Sequence, residues 1–289
     1  MKAIGVFPGA RQVRIVDHPE PAITSPDEVR LRILEVGVCG TDREICEFQF
    51  GEAPAGSDYL VLGHEALAEV VEVGASVTRV KRGDLVVPMV RLPCARTSCS
   101  ACRVGRQDFC LTDEFLEHGI RRAHGFMTAQ VVERERYVVP LPKRLEDVGV
   151  LIEPLTIAQK ALLQVQDVQR RLPWEHAAPM GRGQNAVVLG AGPVGLLGAM
   201  ALILRGYRTS VLARSPEDAP QAVLAKALGA QYLSTRGLGY DEVAKKIGPI
   251  DLVYEAAGAV QSSFDLLAHL GTNGIFVFTG VPGLHAPMA

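Results

Sequence analysis

Residues 186–204 read AVVLGAGPVGLLGAMALIL. The run carries no charge and approaches the length of a membrane span. Gly190, Gly192, Pro193 and Gly195 interrupt it where a spanning helix needs continuity, so it predicts a short buried strand, a glycine turn and a helix. In that setting the three glycines fit G-x-G-x-x-G. The first allows the tight turn, the second lets backbone approach a pyrophosphate, and the third lets helix pack on strand with its N-terminus facing the phosphates. Gly190, Gly192, Pro193, Val194 and Gly195 are therefore candidate cofactor-binding residues. About twenty residues further on, where an acidic residue usually takes the ribose hydroxyls, stand Ala213, Arg214 and Ser215. A cation and a hydroxyl suit a 2′-phosphate, so Arg214 and Ser215 point to NADP as the preferred cofactor, with NAD still admissible.

The same alternation continues to the end of the chain: TSVLAR, APQAVLAKALG, AQYLS, DEVAKKIG, DLVYEAAG, SSFDLLAHLG, GIFVFTGV. Buried strands alternating with short helices predict a doubly wound parallel sheet with helices on both faces. Before it, from about residue 25 to 140, the β-branched runs EVRLRILEVG, EALAEVVEVG, DLVVPMV and AQVVERERYVVPLP are separated by Gly, Pro and Asp and predict an irregular, mostly β domain. A connecting helix is expected near IEPLTIAQKALLQVQDVQRRL.

At 289 residues the chain has room for about two domains, each with its own core and no need of disulfides. Thirty Lys and Arg stand against 32 Asp and Glu, with no long basic run, which recommends neither nucleic acid nor an anionic membrane as partner. The start lacks a signal-peptide pattern, so a reducing cytoplasm is expected, where clustered cysteines bind metal more often than they pair.

Four of the six cysteines, Cys94, Cys99, Cys102 and Cys110, lie within seventeen residues as C-x4-C-x2-C-x7-C. Four thiolates close a tetrahedral zinc site and leave no position for substrate, so this set predicts a structural zinc. Cys39, at a strand end, and His64 with Glu65, twenty-five residues on, offer a different set. With one carboxylate, Cys39 and His64 would supply three ligands and leave one open place, as a catalytic zinc requires.

Taken together, VCGTDREI, LVLGHEA, the cysteine lobe closing with VGRQDFC, EFLEHGIRRAHGFM, DVGVLIEPL and GAGPVG resemble the zinc-dependent medium-chain alcohol dehydrogenases, and within them the archaeal-type glucose dehydrogenases. The resemblance runs almost end to end. It implies a GroES-like, mostly β catalytic domain over 1–155, with a structural-zinc lobe near 94–110, and a Rossmann NAD(P)-binding domain over 156–289. It implies Cys39, His64 and Glu153 as catalytic zinc ligands, with Glu65 beside the metal as alternate ligand or polariser. It gives Thr41 the contact to the substrate hydroxyl, Glu44 the next step of the proton relay in place of a more common histidine, and Glu117 a hydrogen bond to the sugar. The implied reaction takes hydride from C1 of an aldose, glucose or galactose, to NADP and yields an aldonolactone. Two other readings fit the same motifs: a zinc dehydrogenase of another polyol or alcohol, and a zinc- and nucleotide-binding protein without turnover.

The chain departs from the family pattern in three places. Its cysteine cluster opens with a longer gap than the usual C-x2-C, and Cys46 has no counterpart. After Glu153, where glucose enzymes tend to carry a polar or acidic residue, it has Ile157 and Ala158. Family members continue beyond TGVPGLHAPMA with a sixth sheet strand and a returning segment that usually builds part of a subunit interface. The expectation is thus an incomplete nucleotide domain with an open sheet edge, and a dimer or tetramer where that segment is present.

Overall fold

The computed structural model describes residues 1–173 and 181–280. Two compact units divide between Glu153 and Pro154.

The first unit begins with a hairpin, β1 (Lys2–Phe7) and β2 (Gln12–Asp17), followed by β3 (Glu28–Gly37), helix α1 (Gly40–Cys46), β4 (Leu60–Val61), β5 (Glu65–Val73) and β6 (Leu85–Pro88). Next come β7 (Arg91–Leu92), one helical turn α2 (Ser100–Arg103), β8 (Leu116–His118), β9 (Arg122–Ala123), β10 (Gln130–Arg134) and β11 (Val138–Leu141). The main sheet has the order β10-β3-β5-β6-β11, antiparallel throughout. Val29, Leu31, Ala68, Val70, Val86 and Val138 supply its core. β1, β2 and β4 form a second sheet over a small cluster of Val6, Ile45, Leu60 and Leu62, against which Cys46 packs. A third sheet joins β7, β8 and β9, with Arg91 directly opposite Glu117.

Helix α3 (Ile152–Gln169) starts at the boundary of the units. With the 3-10 turns before it, it is long and apolar enough to cross a membrane, but Ala158, Ala161, Leu162 and Val165 pack into the core of the second unit. That unit alternates β12 (Asn185–Leu189), α4 (Pro193–Leu204), β13 (Arg208–Ala213), α5 (Pro220–Ala227), β14 (Gln231–Ser234), α6 (Tyr240–Ile247), β15 (Ile250–Glu255), α7 (Val260–Leu267) and β16 (Leu270–Phe278). The strands are parallel in the order β14-β13-β12-β15-β16. This is the doubly wound sheet expected from the sequence, and its order reverses at β12, where such sheets bind ligands. β12 is buried along its whole length, as a central strand covered on both faces must be. Among the described residues β16 is an edge strand. The last residue of the segment GIFVFTGV, and the remainder of TGVPGLHAPMA, lie outside the described residues.

Candidate functional site

Cys39 lies two residues beyond the end of β3 and serves as the N-cap of α1. Its Sγ accepts the Thr41 amide N–H at 3.3 Å, while its own N–H donates to Asp42 Oδ2 at 3.0 Å. This reciprocal cap fixes the thiol at the helix N-terminus. His64, between β4 and β5, sets Nε2 3.2 Å from Cys39 Sγ and Nδ1 3.5 Å from Asp42 Oδ1. Glu65 opens β5 with Oε1 4.0 Å from His64 Nε2. Gly37 makes room for that carboxylate, since a Cβ there would lie 2.1 Å from Glu65 Oε2.

Donor atoms of Cys39, His64 and Glu65 all lie within 4.8 Å of one another. Glu153, in the first turn of α3, stands outside that set but within the electrostatic reach of His64, Glu65, Glu117 and Asp42. Burial, helped by the carboxylates of Glu65, Glu117 and Asp42 and opposed by His64, pushes the Glu153 carboxyl up to about 7. Burial likewise raises Glu65. Burial alone would raise Asp42 too, but bonds from His64 and from the Cys39 and Gly63 amides hold it below the ordinary carboxylate value. Several acidic groups and a thiol thus crowd one buried imidazole, a charge pattern that suits a divalent cation.

Thr41 and Glu44, both half-buried, lie three residues apart on one face of α1. Glu117, on β8, accepts a hydrogen bond from Arg91 Nε on its Oε1 at 2.8 Å and forms an ion pair with the same guanidinium, whose Nη2 lies 2.7 Å from Oε1. It is not an exposed loop carboxylate: its side chain is 15% accessible.

Cys94, Cys99, Cys102 and Cys110 are unpaired, and their sulfurs also lie within 4.8 Å of one another. Cys99 accepts the Leu111 N–H at 3.5 Å, and Cys110 lies 3.4 Å from Thr112 Oγ1. The Thr112 bond draws the Cys110 thiol down to about 6, whereas burial pushes Cys102 up to about 12. Gln107, inside the same lobe, donates to the Arg91 carbonyl at 3.2 Å and so ties the lobe to β7.

In the second unit, Gly190 follows β12 with φ of +111°. A Cβ on Gly195 would lie 2.1 Å from the Gly190 carbonyl oxygen, so α4 packs directly on the turn. Gly192, the N-cap of α4, faces open space: a Cβ added there would meet no atom within 4 Å, and no side chain caps the helix. Pro193 occupies the first turn exposed, and Val194 packs against the core. The cradle fits a pyrophosphate on the helix N-terminus. At the end of β13 Arg214 is exposed, and Ser215 is held by Gln221 Nε2 at 2.6 Å and, through its carbonyl, by the Tyr232 hydroxyl at 2.9 Å. Ile157 is partly exposed on α3, and Ala158 is fully buried in the core of the second unit.

Sequence reading passed over Asp42 and Arg91. Asp42 had a signal, since the fourth residue of CGTD is the N3 acid of a capping box. Arg91 had none, because its partner is twenty-six residues away on a strand of three residues.

Residues 25–143 match the alcohol dehydrogenase GroES-like domain, and residues 146–287 match the glucose dehydrogenase C-terminus. Glucose 1-dehydrogenase of Methanocella arvoryzae is 40% identical over 284 residues, covering 97% of this chain and 76% of that protein. The Thermoproteus tenax glucose 1-dehydrogenase is 42% identical, with the same coverage. The Haloferax mediterranei glucose dehydrogenase, solved in complex with NADP, Zn and gluconolactone, superposes with a TM-score of 0.86 at 33% identity, covering all of this chain and 79% of that one. The two matched domains define a medium-chain dehydrogenase. The chain belongs to the glucose dehydrogenase family of the zinc-dependent medium-chain alcohol dehydrogenases, and is an NAD(P)-dependent oxidoreductase.

Proposed function

We propose that the chain oxidises C1 of an aldose, glucose first and galactose second, to an aldonolactone, with NADP preferred over NAD as hydride acceptor. One observation carries the reading above the others. The Cys39 thiol, the His64 imidazole and the Glu65 carboxylate converge within 4.8 Å in a chain that also keeps an open glycine cradle at a helix N-terminus. The Haloferax relative, solved with NADP, Zn and gluconolactone, supports the choice of cofactor, metal and sugar.

The donors fit zinc. A thiol, an imidazole and a carboxylate are ligand types that zinc takes, three of them leave one position open, and the four lobe thiols make a closed tetrahedral set. Cys39 and His64 would hold the catalytic ion with Glu65 or Glu153 as third ligand. Cys94, Cys99, Cys102 and Cys110 would hold a second, structural one. When bound, the catalytic zinc supplies Lewis-acid polarisation of the C1 hydroxyl, lowering its pKa.

This chain's residues do the rest. Asp42 fixes the His64 ring from the Nδ1 side, leaving Nε2 for the metal. The Thr41 hydroxyl accepts the proton of the C1 hydroxyl as it gives its own to the Glu44 carboxylate, which releases it to water. Glu117 accepts a hydrogen bond from a second sugar hydroxyl, and this contact orients C1. The N–H groups at the start of α4, with Gly190, Gly192 and Gly195 keeping backbone close, hold the pyrophosphate. Arg214 and Ser215 take the 2′-phosphate, which gives NADP its advantage. The test is a rate panel of D-glucose, D-galactose and simple polyols, each with NADP and NAD, with the product identified by NMR. Glucose with NADP giving lactone is the expected result. Turnover confined to simple alcohols overturns the sugar assignment.

A further inference from the structure

Glu117 is built into a frame more elaborate than a sugar-binding carboxylate on a loop requires. β7 and β8 are only two and three residues long, yet Arg91 and Glu117 stand directly opposite each other across them. The His118 N–H donates to the Val90 carbonyl at 3.0 Å and ties β8 to β7, while the Glu117 N–H donates to the Arg121 carbonyl at 2.8 Å and holds β8 to the turn that follows it. The Arg91 carbonyl in turn accepts Gln107 Nε2, and Gln107 is buried.

The side chains show a division of labour. The Arg91 guanidinium carbon lies over the Phe115 ring, 4.1 Å from its centroid, a cation–π contact that holds the group in place. From there Nε donates to Oε1 of Glu117 at 2.8 Å, and Nη2 lies 2.7 Å from the same oxygen. A fork engaging both oxygens would consume the carboxylate. Here, among the described residues, Oε2 accepts no hydrogen bond. The carboxylate therefore keeps one oxygen for a ligand while its rotamer is fixed through the other.

We infer that Arg91 is a positioning residue for sugar recognition: clamped by Phe115, it holds Glu117 through Oε1 and aims Oε2 at a substrate hydroxyl. The inference rests on the reading of Glu117 as a sugar contact and goes beyond it by naming what sets that contact's geometry. A lysine in place of Arg91 would keep the charge but lose the two-nitrogen approach to one oxygen. The contact serves ground state and transition state alike, so its loss appears in KM rather than in kcat.

The experiment uses the full, zinc-loaded chain and four variants: Arg91→Ala, Arg91→Lys, Glu117→Gln, and Arg91→Ala with Glu117→Gln. D-glucose affinity is read as KM and, independently of turnover, by titration calorimetry. NADP affinity, zinc content and thermal midpoint report on folding. Arg91→Ala is expected to weaken glucose binding about tenfold, Arg91→Lys to recover part of that loss, and NADP affinity to stay within about twofold. The double variant should be no worse than Glu117→Gln alone, because Arg91 acts only through that carboxylate. Unchanged glucose affinity in Glu117→Gln refutes the sugar contact itself and the inference with it. Weakened affinity in Glu117→Gln with none in Arg91→Ala or Arg91→Lys, or losses that simply add in the double variant, leaves the sugar contact standing and overturns the role given to Arg91.

Discussion

Replacing Asp42 removes a hub. Its carboxylate is 2% exposed, accepts the Cys39 N–H at 3.0 Å through Oδ2, and sets Oδ1 3.5 Å from His64 Nδ1. Alanine leaves the Cys39 N–H without its acceptor and His64 Nδ1 without its facing carboxylate. An orphaned buried donor costs about 1–3 kcal/mol, so the metal-free chain should lose roughly 2–3 kcal/mol. The lost helix cap, about 1 kcal/mol, is contained in that figure. Asparagine keeps one acceptor oxygen and should lose roughly 1–2 kcal/mol. Zinc affinity should fall by about 10–100-fold in Asp42→Ala, because the ring that presents Nε2 is no longer held. Urea unfolding followed by circular dichroism reads the first effect, and competition with a chromophoric chelator reads the second. There is a pH signature as well. The folded-state pKa of Asp42 lies below its ordinary 3.8, so its contribution is fully present above that value and is lost as pH falls through the depressed one. Zinc affinity in Asp42→Ala within twofold of the parent would refute the positioning of His64 by this carboxylate.

Three further outcomes follow from other parts of the structure. Arg214→Ala should raise the KM for NADP about tenfold or more and leave that for NAD within about twofold, in steady-state assays with each cofactor; equal effects reject the phosphate assignment. Gly192→Ala meets no atom within 4 Å and should weaken NADP binding at unchanged thermal midpoint, whereas Gly195→Ala drives its methyl to 2.1 Å from a backbone oxygen and should lower both, as calorimetry of binding and unfolding will show. His124, whose Nδ1 accepts the Val61 N–H at 3.1 Å, is pushed by burial, and by His18 and His118, down to about 4. Its contribution to stability is present above pH 6.5 and is lost as pH falls toward 4, so the thermal midpoint should drop over that interval, and drop less in His124→Asn.

The second unit was legible because its physics is local. A continuous apolar strand such as Asn185–Leu189, a glycine turn and an apolar helix each declare themselves within a few residues, and the strand and helix alternation then leaves little choice of topology. The first unit was harder. The hairpin Lys2–Asp17 went unread because β2 is largely exposed, with Ile15 72% accessible, so no alternation of buried and exposed residues marks it. Strands of two or three residues such as β7, β8 and β9 are too short to show any period. At the site, Cys39 and His64 could be picked out by residue type, but which carboxylate joins them depends on where chain segments meet. Glu65 reaches the cluster along β5, while Glu153 stands 88 residues later at the head of α3, and no spacing in the sequence ranks the two. Asp42 and Arg91 act on other side chains rather than on a ligand, which is why residue type alone did not single them out.

The proposed chemistry depends most directly on the assignment of two separate metal sites, one that reacts and one that shapes. The measurement that tests it is zinc content per chain together with the initial rate of NADPH formation from D-glucose and NADP, in the parent and in Cys39→Ala. Two zinc ions and a clear rate are expected in the parent, against one zinc ion, an intact fold and no rate in the variant. A Cys39→Ala chain that keeps both its rate and its zinc would contradict the assignment.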